Sequence, residues 1–454
     1  MVKALPPPDW HELLNEIIES GPARLEHIFT TTNPVDHKGR YLHWDEMRYK
    51  DPPEGLTIRE WWFGTVYSRQ VLARDLPLRG TNSAPYRFSN VDPIQAMVHR
   101  IDQQAGGRIG TEDAFTTIES RDRYLASSLL AEEAITSSML EGAATTRRAA
   151  REMLQTNRRP RGHAEQMVLN NFNAMQAAEQ LATEETPLTP DAVLNLHRVV
   201  TEGTLHDGAD AGRLQQPGED RVMVVDDDNR VLHQPPSAEE LPERMEQLCA
   251  FANAENDEGF LHPVVRAILI HFWLGHDHPF VDGNGRTARA LFYWSMLRSG
   301  YWLAQYFSIS TVLREAPAQY IRSYLHAETD NNDSTYFVIH QLAVIEKAIT
   351  SLNRYISKKI AEVAEVDKLL LTVPHLNRRQ IAVINAAHRD SYRSFTIREH
   401  QEQERVTYQT ARTDLLTLEQ LGLLAQTRVG RTFEFRSSGD IPATLRSLGL
   451  KSSR

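Results

Sequence analysis

Cysteine is almost missing from this chain. Of 454 residues only Cys249 is one, so no intrachain disulfide can form and a cysteine-rich zinc site is excluded. Both facts suit a reducing compartment. Long apolar runs are missing too. The most apolar stretch, 264–274, is short and carries Arg266 and His271, which reads as a core helix and not a membrane span. The first ten residues, with Pro6, Pro7 and Pro8, lack the charged-then-apolar pattern of a secretory signal, and the expected location is the cytoplasm. An excess of positive charge is also lacking. The 50 Lys and Arg face 60 Asp and Glu, a formal net charge of −10, which argues against a protein coated in nucleic acid but allows a local basic module.

What is present is ordinary globular composition, 41% hydrophobic and 24% charged, on a chain too long for one core. Residues 1–110 read as an N-terminal accessory module, in which Trp44, Trp61 and Trp62 suggest packing but no chemistry. From 120 to 353 the pattern is mainly α. Amphipathic helices are predicted at 123–141 (with Gly142 as a stop), 164–181, 190–201 and 241–253. The exception is 221–233, where Val222, Val224 and Val225 precede Asp226, Asp227 and Asp228, and Val231 and Leu232 follow. That reads as a short β-hairpin, and an isolated hairpin edge is a candidate binding flap. Residues 354–374 read as a helical linker. Three helices and two short strands around Gly430 then fill 375–454, the order of a winged helix-turn-helix.

The most informative stretch is His278-Pro279-Phe280-Val281-Asp282-Gly283-Asn284-Gly285-Arg286-Thr287-Ala288-Arg289. Apolar helical patterns flank it, so it is a tight loop running into a helix N-terminus. Such an end carries unpaired N–H groups and partial positive charge, which suits an anion. Gly283 and Gly285 let a phosphate approach the backbone closely. Arg286 and Arg289, three apart, share a helix face and can fork onto phosphate oxygens. Asp282 offers the hard oxygen that Mg²⁺ (or Mn²⁺) takes. His278, neutral in good part at pH 7, can accept a proton from a hydroxyl. Phe280 would anchor the loop in the core. These are the parts of phosphoryl or nucleotidyl transfer. A zinc reading of His271, His276 and His278 is disfavoured, because no HExxH spacing is present.

The string resembles the HPFx(D/E)GNGRxxR signature of Fic-domain (Fic/DOC) proteins and matches every fixed position. Gly212-Arg213, the hairpin and Pro235-Pro236 resemble that family's target-docking flap. The resemblance implies a Fic-type helical bundle over 120–353 that moves AMP from ATP to a Ser, Thr or Tyr hydroxyl of a protein, releasing pyrophosphate. It implies His278 as catalytic base, Asp282 as metal ligand, Asn284 with the backbone of Gly283 and Gly285 around the phosphates, and Arg286 and Arg289 on the phosphate tail. Members with Lys at position 285 resemble kinases; this chain has Gly. One departure is Asp277, where many members have an apolar residue; it stands close enough in sequence to polarise His278.

Ser137-Ser138-Met139-Leu140-Glu141-Gly142 resembles the family's inhibitory motif, (S/T)xxxE(G/N), ahead of the signature. The implied role of Ser137 and Glu141 is autoinhibition, with Glu141 pairing to Arg289. Competing readings are a nucleotide-sensing DNA-binding regulator built on a Fic core, transfer of another nucleotide or phosphate-containing group, and removal of AMP. Tyr293 is a candidate for facing the adenine. Over 375–454 there are 13 Lys and Arg against 8 Asp and Glu. That local basic excess suits DNA as a partner, through Thr407, Tyr408, Gln409 and Arg412 at the start of a recognition helix and Arg428 and Arg431 on the wing. Winged helices also dock proteins or a second copy of the chain, so a protein partner or homodimer is the other expectation.

Overall fold

Helices dominate, and their ends follow the sequence signals. The computed structural model describes residues 4–106, 123–184, 186–225, 229–255, 259–371, 373, 376–389, 393–429 and 432–452. Thr57 and Glu60 form a capping box at the start of Ile58–Leu72, and Thr396 and Glu399 repeat it at Ile397–Glu404. The helix Arg123–Leu140 stops where expected, with Gly142 at φ +90°. Side chains of its first eight residues, and residues 120–122, lie outside the described residues. The chain divides into two compact units. Met1–Ile118, Leu129–Ala150 and Pro160–Ile349 form the first, and Glu119–Ser128, Arg151–Arg159 and Thr350–Arg454 the second.

In the first unit the helices Pro263–Asp277 and Asn284–Arg298 are buried along nearly their whole length. They pack with each other, and the second of them also packs on His163–Thr183 and Pro190–Thr201. We call the pair the leading and trailing helices, because the signature loop lies between them. The segment expected as an accessory module folds into this same unit. Its tryptophans build a core with Leu13, Ile17, Ile28 and Phe63. It then adds an antiparallel hairpin of β1 (Ala73–Arg79) and β2 (Pro85–Ser89). Arg69, 3% exposed, donates to Tyr336 Oη (2.7 Å), Leu42 O and Pro34 O (both 2.9 Å). A buried guanidinium satisfied on all sides welds remote segments, since breaking one bond strands a charge.

The flap hairpin is present as β3 (Val224–Val225) and β4 (Val231–His233), antiparallel with Val224 opposite His233. Asp226, Asp227 and Asp228 lie outside the described residues. Leu232 anchors the hairpin against Leu325 and Ala4, whereas Met223, Val225 and Val231 are each more than 40% exposed.

The second unit has its own core, drawn from Val383, Ile384, Leu415, Leu418, Leu424 and Phe435 with Val366 and Leu370. Helices Arg378–Arg389, Ile397–Glu404 and Tyr408–Gln420 precede β6 (Leu424–Val429) and β7 (Thr432–Ser437), the order expected from sequence. Two features escaped the sequence: β5 (Phe395–Thr396), which extends the sheet in the order β5-β7-β6, and a final helix, Ile441–Ser452. Gly430 and Arg431 lie outside the described residues. Among the described residues no helix is long and apolar enough to cross a membrane.

Asp414 organises this unit. Its buried carboxylate accepts from Arg379 Nε (2.7 Å), Asn377 Nδ2 (2.8 Å) and His400 Nε2 (3.2 Å), joining all three helices. Those partners hold its pKa below the usual carboxylate value, against the opposing effect of burial. Asp414→Ala should cost about 3 kcal/mol, because the partners keep their polar groups without the acceptor. Chemical denaturation of the full chain should show the transition of the C-terminal unit shifted to lower denaturant. An unshifted transition would remove Asp414 as the keystone.

Candidate functional site

The loop begins where the leading helix ends. His278 adopts a left-handed conformation (φ +44°, ψ +54°) while its N–H still reaches Leu274 O at 3.0 Å. A left-handed histidine is uncommon and persists only when its surroundings fix it. Pro279 follows, and the trailing helix opens at Gly283, again left-handed at φ +83°. A Cβ at Gly283 would sit 2.8 Å from Thr201 Cγ2, so the position demands glycine on two counts.

Asn284 braces the turn. Its Oδ1 accepts the Phe280 N–H (2.9 Å) and its Nδ2 donates to Phe280 O (2.8 Å), which fixes the amide's orientation. The same Nδ2 lies 3.2 Å from His278 Nδ1. Phe280 is fully buried and stacks on the His197 ring, centroids 3.8 Å apart and 6° from parallel. His197 Nε2 donates to Asp282 O (2.9 Å), and its Nδ1 accepts the Gly212 N–H (3.0 Å). With one nitrogen donating and the other accepting, this imidazole is neutral, in keeping with a pKa pushed down to about 4 by burial. Arg221 ties the hairpin side to the loop as well, its Nη2 donating to Asp277 O (2.7 Å) and His278 O (3.1 Å).

The charged groups converge on the N-terminus of the trailing helix. Asp282 is half exposed; one oxygen accepts the Gly283 N–H at 2.6 Å and the other stands 3.3 Å from Arg286 Nη2. Arg286 is fully buried and also donates to Val200 O at 3.0 Å, so it closes the last turn of Pro190–Thr201. Arg289, 1% exposed, donates from Nε to Ser137 Oγ (2.8 Å) and from Nη2 to Ser137 O (3.3 Å) and Glu141 Oε1 (2.9 Å). Burial works against its charge, but Glu141 together with Tyr320 and Glu133 outweighs it, and the Arg289 pKa is raised. The Glu141 carboxylate also presses on Gly285, where an added Cβ would lie 2.9 Å from Glu141 Cδ and 3.0 Å from Arg289 Nη1. Thus His278, Asp282, Gly283, Asn284, Gly285, Arg286, Arg289, Ser137 and Glu141 gather in one place, with Phe280 beneath them.

His278 is neutral at pH 7. Burial, then the charge of His233, pushes its pKa down to about 4, with Glu141 acting the other way. Asp277 takes no part in polarising it, because its carboxylate is taken by Arg244 (2.9 and 2.7 Å), Trp273 Nε1 (3.0 Å) and His276 Nδ1 (3.2 Å). His271, His276 and His278 do not form a metal cluster, since His271 is bonded to Tyr320 Oη at 2.9 Å and His278 faces Asn284. Tyr293 is a core residue whose hydroxyl bridges Phe307 O (3.1 Å) and the Ile309 N–H (3.0 Å).

Residues 187–296 match the Fic/DOC family. The matched segment holds the loop, His197 and the hairpin, while Ser137 and Glu141 precede it. The chain is 35% identical over 121 residues to the protein adenylyltransferase Fic of Nematostella vectensis, covering 27% of this chain and 26% of that protein. It is 31% identical over 165 residues to the Drosophila melanogaster protein of the same name, covering 36% and 31%. The chain therefore spans less than a third of either relative. Its fold is similar to the crystal structure of a Fic family protein from Desulfovibrio desulfuricans G20, with a TM-score of 0.50 and 20% identity over 78% of this chain and 98% of that one.

Sequence reasoning did not find His197 or Arg221. Arg221 opens the predicted hairpin, which is a weak signal, and His197 is one polar residue on an amphipathic helix, which is none. The site carries a pH signature. His197, His271 and His278 have pKa values pushed down by burial to about 4, 3 and 4, against an ordinary 6.5. Below pH 6.5 the unfolded chain takes up protons that the folded chain refuses, so stability is full above 6.5 and lost as pH falls toward 4. We expect the thermal unfolding midpoint to fall steadily between pH 6.5 and 4.5, with each histidine contributing on the order of 1 kcal/mol or more. A midpoint that stays level across that window would contradict the neutral buried histidines.

Proposed function

We propose that the chain is a protein AMP transferase, restrained by its own Glu141. The observation that carries this reading is a buried Arg289 paired with a carboxylate over a glycine-opened helix N-terminus, beside a neutral histidine. Glu141 stands where an anionic phosphate tail would be received, and its charge-assisted bond to Arg289 mimics one.

In the active form ATP would take that place. Its phosphates would lie against the N–H groups of Gly283, Asn284 and Gly285, with Arg289 released to the γ-phosphate. His278 takes the proton of a Ser, Thr or Tyr hydroxyl on the target. That oxygen attacks the α-phosphorus, the bond to the bridging oxygen breaks, and pyrophosphate leaves. Asp282, half exposed and with oxygen lone pairs open to solvent, fits as the holder of Mg²⁺ or Mn²⁺, which neutralises phosphate charge when bound. Arg286, spent on Val200 O and Asp282, steadies the loop and contributes positive field. The exposed Val225 and Val231 on the two-stranded flap suit an extended target segment adding alongside.

With Glu141 in place, ATP cannot extend its tail to Arg289, and basal transfer is low. Incubation with Mg²⁺ and ATP labelled at the α-phosphate should therefore leave little label on the wild-type chain. Glu141→Gly should retain at least about tenfold more, and adding His278→Ala should remove it by about a hundredfold or more. No gain in the glutamate variant sinks the restraint; label surviving the histidine change sinks the base. ATP binding without label in any variant would favour a nucleotide-sensing regulator. Label placed from another nucleotide in preference to ATP would favour transfer of a different group, and release of AMP from a labelled chain would favour the reverse reaction.

For the C-terminal unit two partners stay in play, a protein or second copy of the chain on one side and duplex DNA on the other. Thr407 caps the helix Tyr408–Gln420, and Tyr408, Gln409, Arg412 and Arg428 all face solvent. Full-length chain should shift duplex DNA with an affinity that falls steeply with salt, and Arg412→Ala with Arg428→Ala should lower the salt slope by about two. No shift at low salt would favour docking of a protein or a second copy.

A further inference from the structure

A second polar cluster lies behind the loop and outside the AMP-transfer reading, joining three segments far apart in sequence. His233 comes from β4, His276 from the last turn of the leading helix, and Glu328 from the helix Pro317–Thr329. One side-chain ligand atom from each lies within 4.8 Å of the others.

The arrangement of the two imidazoles is that of ligands. His233 Nε2 donates to His276 O at 2.6 Å, and His276 Nδ1 donates to Asp277 Oδ1 at 3.2 Å. Each ring thus has one nitrogen fixed by an acceptor, which leaves His233 Nδ1 and His276 Nε2 as the nitrogens for a cation. A carboxylate or carbonyl holding the far nitrogen is the usual outer partner of a metal-bound histidine. Asp277 is itself locked by Arg244 and Trp273. Glu328 Oε1 forms an ion pair with His233 Nδ1 at 2.8 Å and has no further well-aligned hydrogen bond. The two atoms share the Nδ1 proton as an ion pair, and the same two atoms are free to serve one ion once that proton leaves. Tyr86 Oη, buried and also without a partner, lies in the field of Glu328 and Asp277, with its ring 5.1 Å from that of His276. A histidine–carboxylate ion pair, a second oriented imidazole and an unpartnered buried hydroxyl together make a ready set of donors for one cation.

We propose that His233, His276 and Glu328 bind a divalent transition-metal ion of the Zn²⁺ class, which fastens the hairpin to the leading helix. Two imidazoles with one carboxylate suit Zn²⁺ and disfavour Mg²⁺ and Ca²⁺, which take oxygen. Zinc bonds of about 2.0–2.2 Å bring ligand atoms to about 3.3 Å from one another, so the widest pair must close by about 1.5 Å. The fourth position is left for a water held by the Tyr86 hydroxyl. His276 lies two residues before His278, so the ion would set the angle at which β4 meets the loop. Binding releases the proton from His233 Nδ1, and no other bond changes.

The test is a metal count, which does not read AMP transfer. Untagged full-length chain, stripped with chelator and dialysed against Zn²⁺, should retain one ion per chain by elemental analysis, and Asp282→Ala should retain it too. His233→Gln and Glu328→Gln should each lose affinity by more than the ~10–100-fold of an outer-shell change, and Asp277→Asn should weaken it within that range. Co²⁺ in place of Zn²⁺ on the wild-type chain should give the intense visible absorption of a tetrahedral site. No ion retained by the wild type, retention unchanged in both ligand variants, or only the faint spectrum of octahedral cobalt would each overturn the site. The cobalt spectrum holds even if a variant fails to fold.

Discussion

A guanidinium 1% exposed cannot be left without a counter-charge, and Arg289 is the constraint around which this site is arranged. Desolvation of that charge is costly. The fold answers with the Ser137 hydroxyl, the Ser137 carbonyl and the Glu141 carboxylate, all from one helix and its end. The nearby helix N-terminus makes the same demand through its open N–H groups. Glu141 answers the first demand and lies against Gly285 in the first turn of that helix. The protonation state of His278 and the exposure of Asp282 acquire chemical meaning from standing beside it.

The same device recurs. Arg69 joins the N-terminal segments to Tyr336, Arg244 locks Asp277, and Arg286 closes Pro190–Thr201 onto the loop. Each buried arginine links pieces far apart in sequence through bonds that are costly to break singly. Around them the neutral histidines do quieter work. His197 is a flat spacer under Phe280 with a hydrogen bond at each end. Together these contacts hold His278 in a left-handed conformation that few non-glycine residues adopt.

The loop was legible because its determinants are local. Gly283 must be left-handed, Asn284 must reach back four residues to Phe280, and the helix N-terminus follows at once. Gly142 was legible as a stop for the same reason. The bond from Glu141 to Arg289, 148 residues apart, rested on resemblance alone, because no periodicity links two such positions. His197, Arg221 and Arg244 were illegible. Their partners are backbone carbonyls, or an aspartate whose carboxylate turns away from the histidine it precedes, and neither leaves a trace in residue spacing. The strand β5 is two residues long and exists only because β7 offers an edge, so tertiary pairing overrides any local pattern. The N-terminal tryptophans were read as packing, but the polar joints through Arg69 that bring them into the larger unit were not.

Gly285 and Glu141 share one small volume, for the space a Cβ would need at 285 is already filled by the carboxylate. The two positions are therefore not free to drift separately. A side chain at 285 would push the Glu141 carboxylate aside and loosen its bond to Arg289. The bond between Glu141 and Arg289 and the size of the residue at 285 are thus coupled through one small volume.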